Sequence, residues 1–224
     1  MEKKIRVGVV HTFLYSVEDL KEQFRKQLPE VEMINIIDDS LLEEALAHGA
    51  ITSDIVARMC DYYQNLQDLG CVCALNQCSS VGEASDVAGQ LIHIPIFKID
   101  RPMARRAAEL GSRIAVIATA CSTVEPSSRL VETEARKLGR AVTVDRCFVE
   151  GAYDCLLKTG DKQKHNEMVI AKVEEAAKTH DAVVLAQGSM YHLMPLLTHI
   201  RVPVLTSLET GITQIREYLD SIKE

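Results

Sequence analysis

The chain has 224 residues, enough for one large α/β domain or two small lobes with a core that needs no disulfide or metal to hold it. With 25 Lys and Arg against 32 Asp and Glu it carries a net charge of −7, which excludes a duplex-binding surface built on clustered positive charge. Hydrophobic residues at 47% exclude intrinsic disorder, and 4% aromatics with no Trp leave few platforms for stacking bases.

The chain opens on a basic stretch, Met1-Glu-Lys-Lys-Ile-Arg6, but the apolar run Val7 to Val10 stops at His11, too short for a secretory signal. No segment approaches the ~18 apolar residues of a membrane helix. Seven cysteines, an odd number without a signal sequence, read as reduced thiols of a cytoplasmic protein.

Short β-branched runs then alternate with longer helical patterns. Strands are expected at 5–10, 31–37, 71–75, 94–99, 113–118, 141–148, 182–185 and 202–206. Helices are expected at 17–27, 40–47, 51–68, 81–91, 102–110, 126–138, 152–159, 162–179, 190–200 and 209–222. Several strands are continuously apolar, as parallel strands covered on both faces are, so the chain reads as α/β with parallel sheet. No Pro- or Gly-rich linker interrupts it. The pattern predicts a first lobe over residues 1–99, a second over 100–206, and a last helix, 207–224, that rejoins the first.

A weak internal symmetry accompanies this order. Strand 71–75 leads into Asn76-Gln-Cys-Ser-Ser80 and a helix, and strand 182–185 leads into Ala186-Gln-Gly-Ser-Met190 and a helix. In open parallel sheets ligands collect outside the carboxyl ends of the strands, where helix N-termini present unpaired N–H groups. The loops at such ends are His11-Thr12, Asn76–Ser80, Thr119–Thr123 and Gln187–Ser189. Ser80-Val-Gly-Glu83 and Ser122-Thr-Val-Glu125 match capping boxes, the second with Pro126 in a first helical turn.

Cys78 would thus stand before a helix N-terminus, which predicts a lowered pKa and a reactivity above that of the other six thiols. Cys71 and Cys73 in a strand, Cys60 and Cys155 in helices and Cys147 near a strand end read as small buried hydrophobes, and residue type alone leaves that role open to Cys78 too. Cys121 fits either a turn filler or a second cysteine of the same site. His11 fits a ligand contact or a structurally bonded histidine, whereas His165, His180 and His199 read as surface or helix-end residues. Arg101, Arg105 and Arg106 read as a solvated helix face. Cys71-Val-Cys73 lacks the spacing that puts two thiolates on one zinc ion, so no metal site is expected. Neither a dinucleotide nor a P-loop glycine motif follows any strand, and no cofactor is expected.

These loops resemble the aspartate/glutamate/hydantoin racemases, a family that includes arylmalonate decarboxylase and maleate isomerase. The resemblance covers nearly the whole chain. It is carried by Val7-Gly-Val-Val-His-Thr12, Leu75-Asn-Gln-Cys-Ser-Ser80, Ile94-Pro-Ile96, the segment Gly111 to Thr119 with Ser122-Thr123, and the loop after Leu185. It implies two pseudo-symmetric lobes, each a mostly parallel sheet flanked by helices, with the active site in the cleft between them. Two cysteines there would flank the carbon next to a carboxylate and move its proton without a cofactor. Cys78 takes the first cysteine position, but Gln187 stands at the second, where it offers neither acid nor base. His11, Thr12, Ser79, Ser80, Thr119, Ser122, Thr123, Gly188 and Ser189 would bind substrate. Cys121, His11, Tyr191 or a water are the substitutes for a second acid. A small carboxylate is the expected ligand and a homodimer the expected assembly. A one-cysteine decarboxylase or cis–trans isomerase of a dicarboxylate is the alternative reaction, and a silent carboxylate-binding protein the alternative function.

Overall fold

The computed structural model describes residues 4–14 and 17–223. The basic start Met1–Lys3 lies outside the described residues. The chain divides into two compact units, one of Met1–Ile99 with Leu208–Glu224 and one of Asp100–Ser207.

The first unit is a four-stranded parallel sheet in the order β2-β1-β3-β4, formed by β1 (Ile5–His11), β2 (Val31–Ile37), β3 (Cys73–Asn76) and β4 (Ile96–Lys98). One face packs under α2 (Ser40–His48), α3 (Ser53–Asp68) and α4 (Gly82–Ala88), through Val10, Leu41, Ile55, Met59, Tyr63 and Leu66. Gly8 leaves room there for Leu66, whose Cδ1 would lie 2.6 Å from a Cβ. Helices α1 (Val17–Gln27) and α9 (Leu208–Ser221) pack together, burying Leu20 and Phe24 against a stripe of Leu208, Ile212, Ile215 and Leu219 with helical periodicity.

The second unit repeats this topology. Strands β5 (Arg113–Ala118), β6 (Thr143–Phe148), β7 (Ala182–Leu185) and β8 (Val204–Leu205) run parallel in the order β6-β5-β7-β8. Strand β5 explains its own sequence. Ile114, Val116 and Ala118 meet α5 (Arg101–Leu110) and α6 (Cys121–Lys137), while Ala115 and Ile117 meet α7 (Ala152–Leu157) and α8 (Lys162–Ala176). Two covered faces demand an uninterrupted apolar strand.

Three expectations change at helix starts. Helix α6 begins at Cys121, with Ala120 as its N-cap, so Ser122 and Pro126 both lie inside the helix rather than at its start. After β3 the chain makes a 3₁₀ turn, Ser79–Val81, before α4, and Ser80 does not cap α4. The segment expected as a helix at 190–200 is a 3₁₀ stretch, Gly188–Leu196, with Pro195 inside it. Proline has no N–H to give an α-helical turn and crowds the carbonyl behind it, which favours the tighter form.

His165 corrects a further expectation. It is fully buried on α8, its Nδ1 is 2.9 Å from the Ala152 carbonyl, and it shares a face with Val169, Val173 and Ala176. His180 pairs with Asp145 at 2.8 Å and His199 with Glu174 at 3.0 Å, as helix-end and surface residues do. Arg101 is not wholly a solvated residue, since its Nε lies 3.7 Å from the buried carboxylate of Glu134.

Gly211 gives the first unit's return helix a direct test. A Cβ there would sit 2.5 Å from the Ile99 carbonyl oxygen, and backbone cannot step aside as a flexible side chain does. Gly211→Ala is expected to lower stability in urea unfolding by about 1–3 kcal/mol; an unchanged midpoint would refute the close approach.

Candidate active site

The repeated topology sets residues of the two units in correspondence. The Gln77 amide donates to the Val10 carbonyl at 3.1 Å, and the Ala186 amide to the Ile117 carbonyl at 2.9 Å. Likewise Asp38 donates to His11, and Val149 to Ala118, each at 2.9 Å. Thr12 therefore corresponds to Thr119, and Cys78 to Gln187. Both latter residues are extended, at φ −122°, ψ 120° and φ −135°, ψ 136°, and each stands directly before a 3₁₀ segment.

Around Cys78, four groups favour a thiolate: the hydroxyls of Thr12 and Ser80 and the backbone N–H groups of Ser80 and Val81. Thr12 Oγ1 is near enough to act on the sulfur, yet it is buried without a regular hydrogen bond. Asn76 fixes the loop from beneath. Its Nδ2 donates to the Cys78 carbonyl at 2.8 Å, and its Oδ1 accepts from the Cys78 amide at 3.3 Å. Against the four donors stands burial, the largest influence, and the Cys78 thiol is pushed up. The expected lowered pKa is thus reversed. Cys78 keeps partial exposure and rests as a neutral S–H whose anion has donors waiting. Cys71 and Cys73 lack such donors, and burial drives them to about 11 and about 12.

Two further side chains support this loop. His11, fully buried, holds Nε2 2.8 Å from Asn35 Oδ1, while Nδ1 has no partner. Burial lowers its pKa, against the opposing pull of Asn35 and of nearby Gln77. Lys98 escaped the sequence reading. Its side chain is almost wholly enclosed and its ammonium bonds Asp86 at 2.7 Å, beside Gly82, where a Cβ would be in ordinary contact, 3.7 Å, with both Lys98 Nζ and Asn76 Nδ2. A lone lysine inside the apolar run Ile96 to Ile99 was the available signal.

In the second unit the corresponding sulfur is replaced by a carboxamide. Gln187 Oε1 accepts from the Thr119 amide at 2.6 Å, the Thr119 hydroxyl at 3.0 Å and the Ala120 amide at 3.3 Å. Such a convergence would suit a carboxylate oxygen, and here a side chain of the protein occupies it. Thr119 and Ala120 are buried. Thr123 is also buried in the first turn of α6, Ser122 is half-buried beside it, and Cys121 is exposed at the first helical position. Gly188, buried Ser189 and half-buried Tyr191 follow Gln187 on the 3₁₀ segment, as Ser79 and buried Ser80 follow Cys78. No group of three or more metal-ligating side chains occurs among the described residues, and no helix among them is long and apolar enough to cross a membrane.

Comparison with known proteins agrees with this architecture. A family model described as Asp/Glu/Hydantoin racemase matches residues 12–215. A glutamate racemase isoform from Bacillus anthracis superposes with a TM-score of 0.75 at 16% identity, over 99% of this chain and 83% of that one. An allantoin racemase from Klebsiella pneumoniae gives 0.69 at 16% identity, over 96% and 88%. An aspartate racemase from Picrophilus torridus gives 0.69 at 13% identity, over 95% and 94%. No protein with a curated description matches significantly in sequence.

Two outcomes follow from the protonation states. At pH 7 iodoacetamide should modify Cys78 more slowly than exposed Cys121, with the Cys78 rate still climbing with pH past about 8.5, the ordinary thiol midpoint; a rate already saturated at pH 7 would refute the neutral thiol. Below pH 6.5, the ordinary histidine value, unfolded chains gain protons that buried His11 and His165 refuse, so stability should fall with pH through that region. Denaturation of wild type and His165→Leu between pH 5 and pH 8 checks this, the variant losing part of the slope; identical slopes would refute it.

Proposed function

This chain belongs to the Asp/Glu/Hydantoin racemase family, and on that premise we propose that it is a cofactor-independent enzyme acting at the carbon next to the carboxylate of a small acid, with Cys78 as its acid and base. The observation that carries this is the Cys78 environment. Burial keeps the sulfur protonated, and the N–H groups of Ser80 and Val81 with two hydroxyls stand ready for the thiolate that proton transfer leaves behind. Inert cysteines such as Cys73 have the burial without the donors.

The proton transfer is one of exchange between sulfur and carbon. In the abstracting direction the Cys78 thiolate takes the proton, and the electron pair of the C–H bond spreads into the neighbouring carboxylate as an enediolate. In the donating direction the S–H proton goes to the carbanionic carbon, and the donors around Cys78 hold the resulting thiolate until it is reprotonated. In the second unit Gln187 takes the amide and hydroxyl of Thr119, which were expected to meet substrate oxygen.

Gln187 favours the one-cysteine variant of this chemistry over two-thiol racemisation. A carboxamide exchanges no proton at neutral pH, so the position that corresponds to Cys78 contributes polarity without acidity. A decarboxylation fits such a site: the bond to CO2 breaks, its electron pair remains on carbon, and Cys78 protonates that carbon from one face. A cytoplasmic homodimer with no nucleic-acid partner completes the proposal.

Amino acids and dicarboxylates incubated with the protein in D₂O and followed by NMR test it. Wild type should incorporate deuterium next to the carboxylate, or release CO2, with at least one of them, and Cys78→Ala should reduce that rate by about 10²–10⁴-fold. Exchange that survives Cys78→Ala unchanged would overturn the assignment.

A further inference from the structure

We infer that the outer edge of β2 is the homodimer interface: two copies pair this strand antiparallel about a two-fold axis at Ile34, and Ile37 of each copy fills the groove between α1 and β2 of the other. The inference rests on the proposed homodimer and names the surface that forms it.

Three observations meet at this edge. Among the described residues β2 is the outermost strand of its sheet and pairs with β1 alone. The Asp38 amide donates to the His11 carbonyl, so by the alternation of a strand Ile34 and Ile36 also bond toward β1, and Met33, Asn35 and Ile37 turn their N–H and C=O groups outward. The strand is apolar at Val31, Met33, Ile34, Ile36 and Ile37, and Arg6 neutralises its one charge, Glu32, at 2.9 Å. Such an edge invites pairing unless charge or proline blunts it. The corresponding edge strand of the second unit, β6, is blunted by Asp145 and Arg146, the latter ion-paired to Glu125 and Glu132. The third observation is a groove of about 240 Å³ that Val31 and Met33 form with Phe24, Arg25 and Leu28, while Ile37, on the same face of β2, is 44% exposed.

A second copy answers all three at once. In a pair centred on Ile34, Met33 lies opposite Asn35 and Val31 opposite Ile37. Met33 and Asn35 of one copy then exchange N–H···O bonds with Asn35 and Met33 of the other, as outward-facing residues of antiparallel strands do. The Ile37 amide reaches the Val31 carbonyl, and its side chain stands beside Val31 on the α1 face, over the groove. On the opposite face Ile34 meets Ile34, and Glu32 falls opposite Ile36 rather than a second carboxylate. Charge agrees with this register. Exposed Asp39, two residues past Ile37, is carried toward Pro29 and the exposed Arg25 of the second copy. The patch is therefore complementary to itself, which is what a closed two-fold contact requires.

Analytical ultracentrifugation and residue-resolved hydrogen exchange of the full chain test this. Wild type should sediment as a dimer. At concentrations where it is dimeric, the amides of Met33, Asn35 and Ile37, which β1 does not protect, should exchange as slowly as those of Ile34 and Ile36. Ile37→Lys sets a cation against Lys21 and Arg25 of the second copy. It should keep its melting temperature within a few degrees, weaken the dimer by about tenfold or more, and release the three outward amides while Ile34 and Ile36 stay slow. A dimer whose outward amides exchange fast, or one that Ile37→Lys leaves intact, would overturn this interface and leave the homodimer standing. A monomeric wild type would overturn both. Exchange in wild type needs no variant, so it decides the matter even if Ile37→Lys fails to fold.

Discussion

Parallel strands end with backbone N–H groups that the sheet no longer pairs, and those groups must find an acceptor. The chemistry assigned to this protein follows from what accepts them. In the first unit the acceptor is a sulfur, Cys78, approached by the amides of Ser80 and Val81. In the second it is a carboxamide oxygen, Gln187, approached by the amides of Thr119 and Ala120. The two acceptors stand at corresponding positions of the repeated topology, one titrating and one not, but they draw on different donors: Cys78 on the amides of its own turn, Gln187 on those of the loop after β5.

The balance at Cys78 turns on the competition between donors and burial. A helix terminus is worth only about 0.3–1 kcal/mol to an anion, whereas enclosure of a thiol raises its pKa by amounts that several hydrogen bonds are needed to offset. Burial prevails here, and the resting group is a proton donor. The sequence shows the residue before a turn but not how much protein surrounds the sulfur, which is why the expected direction and the structural one differ.

Much of the architecture was legible because it rests on local patterns. Ile114 to Ala118 announces a strand with two covered faces, and Leu208, Ile212, Ile215 and Leu219 announce one face of a helix. Helix starts were less legible. Pro126 suggested a first turn, but α6 begins at Cys121 and accommodates the proline within it. His165 looked superficial although Val169 and Val173 already marked its face as inward. The link between Gln187 and Thr119 joins residues far apart in sequence and could not be read locally, and only the family resemblance, not the loop pattern, set Gln187 at the position of a second cysteine.

The stereochemical course of deuterium incorporation at a methylene next to a carboxylate tests the central claim most directly. A site with one titrating group should label a single face, giving one stereoisomer of the monodeuterated acid with succinate or the best acid found, and the second hydrogen should persist. Labelling of both faces at comparable rates would show that a second acid–base group operates, and would contradict an account in which Cys78 alone carries the proton.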